Sequence, residues 1–407
     1  MKSTVTQIRH RFDTDVLPLL VALNKGTIMT YIPGLKGVIA TETNLSSVNG
    51  EIGELIIAGY PLEEIAPHAT FEEMAYLLWH HSLPSHTQLE SFSEALKTHR
   101  TLPDATNILL REAAHKNVSV IDALRMATAT LSLISDGDDA SDAQTLIATL
   151  PTIITTYWRL INKQEPIAPN PNLNHAANYL YMLTGKDPNA AQTRAITTYL
   201  NTITDHGMNA STFTARVITS TRSDLISAIV GAIGALKGPL HGGAPGPVLQ
   251  MLQEIQSSEN AEPYIRTKLE KGERLMGFGH AIYKVRDPRA NVLYGALESL
   301  FADNSDRDFY TFAQHVEKIA IQLLEEFKPG RRLQTNVEFY TALLLHSLDL
   351  HADLFTPTFA IGRAVGWIAH SLEQRALDRI IRPESVYTGI KNNQWLSMQD
   401  REVAKAG

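Results

Sequence analysis

His241 stands after the Gly238-Pro239 break and before Gly242-Gly243 in the run GAIGALKGPLHGGAPGP (231–247). The proline fixes the backbone just upstream, and the glycines let main chain approach a ligand with no Cβ in the way. An imidazole held like this suits acid–base work or a hydrogen bond to a substrate oxygen; a His between Pro and Gly is equally an ordinary loop residue. His280 follows a Gly-Phe-Gly turn in MGFGHAIYKVRDPR (276–289), with Lys284, Arg286 and Arg289 behind it. No third glycine completes a dinucleotide fingerprint, and no strand precedes the turn. The stretch reads as a loop whose amides and cations meet a phosphorylated or carboxylated ligand, or as a helix start beside a surface basic patch.

Glu338 sits among Val337, Phe339 and Tyr340 in FKPGRRLQTNVEFY (327–340). Amid apolar neighbours, desolvation would raise its pKa and make it a base near neutrality; the other reading has it point to solvent from a helix. Arg363 follows Gly362 on an apolar helix face, and Arg382 follows Ile380-Ile381 just before Pro383. Buried guanidinium groups require anions. Both a dicarboxylate ligand and internal salt bridges satisfy that need. His206, in Asp205-His206-Gly207-Met208-Asn209, is either part of the site or a satisfied core histidine.

The elements that must position these groups are mostly helical. Apolar residues recur at helical spacing over Phe71–His80, Val118–Leu133 and Ala190–Ile203, and Pro103, Pro151, Pro166, Pro169 and Pro171 fall where helix breaks are expected. Gly231 to Leu236 form a small apolar face for close helix packing. Val38–Thr43, paired with Ile52–Gly59, carries the strand signal. Residues 1–32 read as an extension, with Leu17–Leu23 as a packing helix. The acidic tract Ser135–Asp142 lacks calcium-loop spacing and reads as a solvated connection. The class is mostly α.

At 407 residues the chain exceeds one ordinary core, so two domains are expected. A net charge of −7 without long basic runs argues against nucleic acid as a partner. The absence of cysteine excludes disulfides, thiolate metal sites and a Cys nucleophile. The apolar run Leu225–Leu236 is about half the ~20 residues that span a bilayer, and the N-terminus lacks a secretory layout. A soluble cytoplasmic protein is expected, with no membrane partner.

Taken together, GLKGVIATET (34–43), DHGMNASTFTARV (205–217), ALKGPLHGGA (235–244), GERLMGFGHAIYK (272–284), DPRA (287–290), TNVEFY (335–340) and FTPTFAIGRAVGW (355–367) resemble the citrate synthase family. The likeness runs from about Gly34 to Gly389. It implies a two-domain helical homodimer with a small β element: a large domain of 1–239 and 343–407, and a small domain of 240–342. Its cleft would be completed by the partner subunit. It implies that His241 hydrogen-bonds the acetyl thioester oxygen, that His280 binds the oxaloacetate carbonyl, and that Glu338 abstracts the proton. His206, Arg289 and Arg363 would hold oxaloacetate, with Arg382 arriving from the second chain. Leu275, Met276, Gly277, Phe278 and Gly279, with Lys284, Arg331 and Arg332, would meet coenzyme A, a thioester substrate rather than a bound cofactor. No metal is implied, and no HExxH spacing occurs.

The implied reaction condenses acetyl-CoA with oxaloacetate and hydrolyses citryl-CoA to citrate. Three departures from the common pattern stand out: Glu338 occupies a position usually held by Asp, Pro245-Gly246 follows HGGA where Asn-Glu is frequent, and Ala281 stands where many bacterial members carry Arg. One methylene moves a base by ~1.5 Å, and ~1 Å of misplacement can cost about 10²-fold. The competing readings are a 2-methylcitrate synthase, which uses propionyl-CoA, and a binding homologue with little turnover.

Overall fold

The computed structural model describes residues 19–24, 27–242, 245–302 and 307–403. They form two compact units, one from residues up to Glu42 together with those from Arg382 onward, the other from Thr43–Ile381. Among the described residues no helix is long and apolar enough to cross a membrane.

In the first unit β1 (Leu19–Asn24) pairs antiparallel with β2 (Thr27–Tyr31), from Leu19 opposite Tyr31 to Asn24 opposite Thr27. The helix expected over Leu17–Leu23 is therefore a strand over its described part. Asn-Lys-Gly between two apolar runs is a hairpin signal, and it outweighs the short helical pattern. A short helix, Met398–Val403, lies near the other end.

The second unit opens with β3 (Ser46–Asn49), β4 (Glu54–Ile57) and β5 (Tyr60–Pro61), an antiparallel sheet in that order. The strand within 52–59 forms as expected, but its partner is Ser46–Asn49 and not Val38–Thr43. Ile39 is 88% exposed; without a buried face the 38–43 segment has nothing to fix a register.

Helices follow: α1 (Leu62–Ile65), α2 (Phe71–His80), α3 (His86–Thr98), α4 (Asp104–His115), α5 (Val120–Thr130), α6 (Asp139–Ile161), α7 (His175–Thr184) and α8 (Ala190–Thr202). Next come α9 (Ala210–Ser220), α10 (Leu225–Leu236), α11 (Pro245–Ile255), α12 (Ser258–Glu270), α13 (Pro288–Leu300), α14 (Asp308–Phe327), α15 (Val337–Ser347) and α16 (Phe355–Leu377). Their starts are written locally: Thr70, Ser85, Asn174, Asn189, Asn209 and Asp224 each accept a backbone N–H of the first turn, a cap worth ~1 kcal/mol.

α16 is almost wholly buried and packs on α6, α8, α9 and α10. α10 lies close on α9, where a Cβ at Gly231 would fall 2.3 Å from Ile218 Cδ1. The small face from Gly231 thus does what its sequence suggests. Pro151, expected to break a helix, lies buried inside α6; burial on α4, α5, α7 and α16 outweighs the one hydrogen bond its missing N–H removes. The acidic tract is also partly helical. Asp138 caps α6, and Asp142 is buried and accepts from Ser135 Oγ at 2.8 Å.

Candidate active site

Five segments bring the reactive residues together. His206 lies in the link from α8 to α9, and His241 just after α10. His280 and Arg289 flank the start of α13, Glu338 is in the first turn of α15, and Arg363 is mid-way along α16.

The segments 277–289 and 334–338 are zipped together. Gly279 N donates to Gln334 O at 2.7 Å, Asn336 N to Gly277 O at 3.0 Å, and Asn336 Nδ2 to Gly279 O at 2.8 Å. Val337 N donates to Asp287 Oδ2 at 3.2 Å. Gly277 and Gly279 adopt φ of 86° and 80°, and a Cβ at 277 would lie 3.0 Å from Phe339 Cβ. These glycines permit the turn and its seating on α15. At Gly242, likewise, a Cβ would strike Leu236 O at 2.2 Å. That glycine serves the chain's own turn; Gly243 lies outside the described residues.

The two half-buried histidines have opposite tautomers. Nε2 of His241 accepts the backbone N–H of Ser211 at 3.3 Å and lies 2.7 Å from Ser211 Oγ. A nitrogen that accepts a main-chain N–H carries no proton, so His241 holds its proton on Nδ1. Ser211 is in the first turn of α9, whose positive end also favours the neutral ring. Burial, then the nearby Arg363 charge, pushes His241 down to about 4. In His280, Nδ1 accepts the N–H groups of Ile282 and Tyr283 at 3.1 and 3.2 Å. His280 therefore carries its proton on Nε2. Burial and Arg289 push it down to about 4 against the pull of Asp287. Both rings are neutral donors at pH 7.

His206 is buried, with Nε2 3.0 Å from Tyr283 Oη and its ring 5.7 Å from that of His280. Burial, with the charges of Arg289 and Arg363, holds it well below the usual histidine range. Arg289 is buried and forks onto Asp287, Nε to Oδ1 at 3.0 Å and Nη2 to Oδ2 at 2.8 Å. Arg363 is also buried, donates from Nε to Ile203 O at 2.6 Å and lies 4.7 Å from the Phe359 ring. Among the described residues no carboxylate lies within ion-pair distance of it. Burial pushes Arg363 down to about 10, a cost that an anionic ligand would relieve.

Glu338 is half-buried, and burial pushes its carboxyl up to about 7 against the opposing charge of Arg289. Arg363 acts electrostatically on His206, His241 and Glu338 alike, which places all of them around one buried charge. Arg382 is exposed and belongs to the first unit.

Beside this cluster lies a cleft of about 920 Å³ lined by Leu275, Met276, Gly277, Phe278, Gly279, His280, Lys284, Arg331, Arg332 and Asn336, the anticipated loop residues among them. Arg274 and Lys328 add two cations that the sequence reading did not single out, opposite the lone carboxylate of Glu51. Also missed were Ser211, Tyr283 and Asp287, which orient the reactive groups; their only signal was adjacency within the same motif strings. Among the described residues no group of three or more His, Asp or Glu could hold a metal ion. The arrangement offers one base, two neutral donors and a cationic pocket beside a cationic cleft.

The family profile described as "Citrate synthase, C-terminal domain" matches residues 34–384. The citrate synthase of Haloferax volcanii is 38% identical over 90% of this chain and 98% of its own, and citrate synthase 2 of Bacillus subtilis is 39% identical over 92% and 100%. The 2-methylcitrate synthase of Shewanella oneidensis is 35% identical over 90% and 97%. Among solved structures, the citrate synthase of Pyrobaculum aerophilum is similar with a TM-score of 0.83 at 33% identity, covering 91% of this chain and 96% of that one. That of Thermoplasma acidophilum, a ternary complex with carboxymethyl coenzyme A and oxaloacetate, is similar with a TM-score of 0.82 at 28% identity, covering 90% of this chain and 98% of that one.

Proposed function

The chain belongs to the citrate synthase family, an acyltransferase family, and on that premise we propose how its own residues condense acetyl-CoA with oxaloacetate and release citrate and coenzyme A. Coenzyme A enters as part of the substrate. The cations at 274, 284, 328, 331 and 332 suit its phosphates, and the glycine turn at 277–279 borders the same cleft.

Removing a proton from a thioester methyl group leaves charge on the carbonyl oxygen, so a base alone is inadequate. Glu338 takes the proton while His241 donates from Nδ1 to that oxygen. The resulting enol attacks the keto carbon of oxaloacetate, and the Nε2–H of His280 meets the charge growing on the keto oxygen. Arg289, Arg363 and His206 hold the two carboxylates, joined by Arg382 of a second subunit. Water then cleaves the citryl thioester. The observation that carries this reading is the pairing of two neutral, oppositely tautomeric histidines with a carboxyl group near 7 around an Arg363 that lacks a carboxylate partner among the described residues.

Residues 240–342 would act as the small domain, closing over the first substrate to exclude water. A dimer follows from the role given to Arg382, and the cytoplasm remains the expected compartment. The test is coenzyme A release with oxaloacetate present, comparing acetyl-CoA with propionyl-CoA. A clear propionyl preference would favour the second reading, 2-methylcitrate synthesis, which the Shewanella oneidensis relative keeps open; one methylene in an acyl pocket is worth only ~1–3 kcal/mol.

A further inference from the structure

The hairpin of β3 and β4 touches both sides of the site. At one end, Ser46 Oγ donates to Asp205 Oδ2 at 2.5 Å and accepts the N–H of Gly207 at 3.1 Å. The hydroxyl therefore bridges the residues on either side of His206. Asp205 is itself buried and held from below, its Oδ1 3.2 Å from His370 Nε2. At the other end, Gly50 O accepts the N–H of Lys284 at 2.8 Å. A Cβ at Gly50 would lie 2.2 Å from Ile282 O, and one at Gly53 would lie 2.8 Å from Val285 Cγ2. The peptide so gripped is the one whose Ile282 and Tyr283 amides fix the His280 tautomer.

Between the two grips runs one strand. Ser46 to Gly50 spans about 13 Å at the usual strand rise, stiffened by the register Ser46–Ile57 to Asn49–Glu54. We propose that this hairpin is a clamp that sets His206 and His280 relative to each other, with Ser46 as a positioning residue. Neither Ser46 nor Gly50 is given a contact with substrate. The Ser46 hydroxyl acts through the backbone of 205–207, and Gly50 through that of 282–284. Identifying the ligand between the imidazoles as oxaloacetate rests on the reading above; the mechanical coupling does not.

The test uses full-length protein with ¹⁵N-labelled histidine. Imidazole resonances are followed in Ser46→Ala, Ser46→Thr and Gly50→Ala, alongside oxaloacetate titrations and thermal melts. The clamp predicts cross-talk: Ser46→Ala shifts the His280 ring as well as His206, and Gly50→Ala shifts His206 as well as His280. It also predicts a rise in oxaloacetate Kd on the order of tenfold for Ser46→Ala, as expected for a lost part-buried hydrogen bond to a charged group, with recovery in Ser46→Thr. Should Gly50→Ala not fold, Asn49→Ala removes only the turn acceptor for the Glu51 amide at the same end. Substitutions that perturb only the nearer imidazole would overturn the clamp. Cross-talk in the variants, with a wild-type protein that does not bind oxaloacetate, would support the clamp and sink the substrate assignment instead.

Discussion

The Nε2 atom of His280 and the Nη2 atom of Arg289 stand 3.2 Å apart, and both are donors. Because His280 Nδ1 accepts two main-chain N–H groups, Nε2 must carry the ring's proton. Two donors so close are complementary to one oxygen bearing negative charge, which is what a keto oxygen becomes when carbon attacks it. His280→Ala should therefore lower kcat by about 10²–10³-fold, the usual effect of removing one such donor. Arg289→Lys should mainly raise the KM for oxaloacetate, since lysine lacks the fork that engages Asp287. Steady-state kinetics with each substrate varied separates the two effects; an unchanged kcat in His280→Ala would remove the ring from the chemical step.

Glu338 sets the pH profile. As a base it must be ionised, and with a pKa of about 7 in the substrate-free protein kcat/KM should climb with pH through about 7. His241 and His280, down at about 4, add no second limb in that range. Glu338→Gln should abolish condensation and leave oxaloacetate affinity little changed.

The same shift has a consequence for stability. A carboxyl whose pKa rises on folding binds its proton more tightly in the native state. Stability is therefore greatest below the unfolded value near 4.5 and falls as pH rises to about 7. Glu338→Gln removes that penalty, so the variant should gain on the order of 1–3 kcal/mol at pH 8 relative to its difference at pH 4. Denaturant titrations at the two pH values measure this. Equal differences at both would mean the native carboxyl is not perturbed.

Around the larger cleft, charge should govern affinity for the thioester. Arg331→Glu and Lys284→Glu should each raise the KM for acyl-CoA with little change in the KM for oxaloacetate. The effect should shrink at high ionic strength, since both side chains are exposed. A rise in KM that ignores salt would point to lost packing instead.

Arg382 offers a test of assembly. If it serves a second subunit, dimers mixed from Arg382→Ala and Glu338→Gln chains should regain part of the activity each lacks alone. Failure to complement, with mixed dimers verified by mass, would confine Arg382 to its own chain.

Much of this was legible in the amino-acid sequence because it is local. Helix starts follow from Asn, Asp, Ser and Thr caps, Gly231 marks a tight helix contact, and the segments around 206, 241, 280, 338 and 363 carry their chemistry in residue type and order. What is not local was misread or missed. The sequence pattern points to 38–43 as the partner of the 52–59 strand and to Pro151 as a helix end, and both fail because pairing and burial are decided by distant chain. No sequence pattern states which nitrogen of His241 or His280 holds the proton; that depends on amides of Ser211, Ile282 and Tyr283 arriving from particular directions. Nor could composition tell that Glu338 is desolvated, or that Arg289 has an internal carboxylate partner while Arg363 has none among the described residues. The sequence by itself determined which groups were present and which helices would carry them. Only the tertiary structure decided their protonation, because desolvation and hydrogen-bond direction are properties of the space a side chain enters.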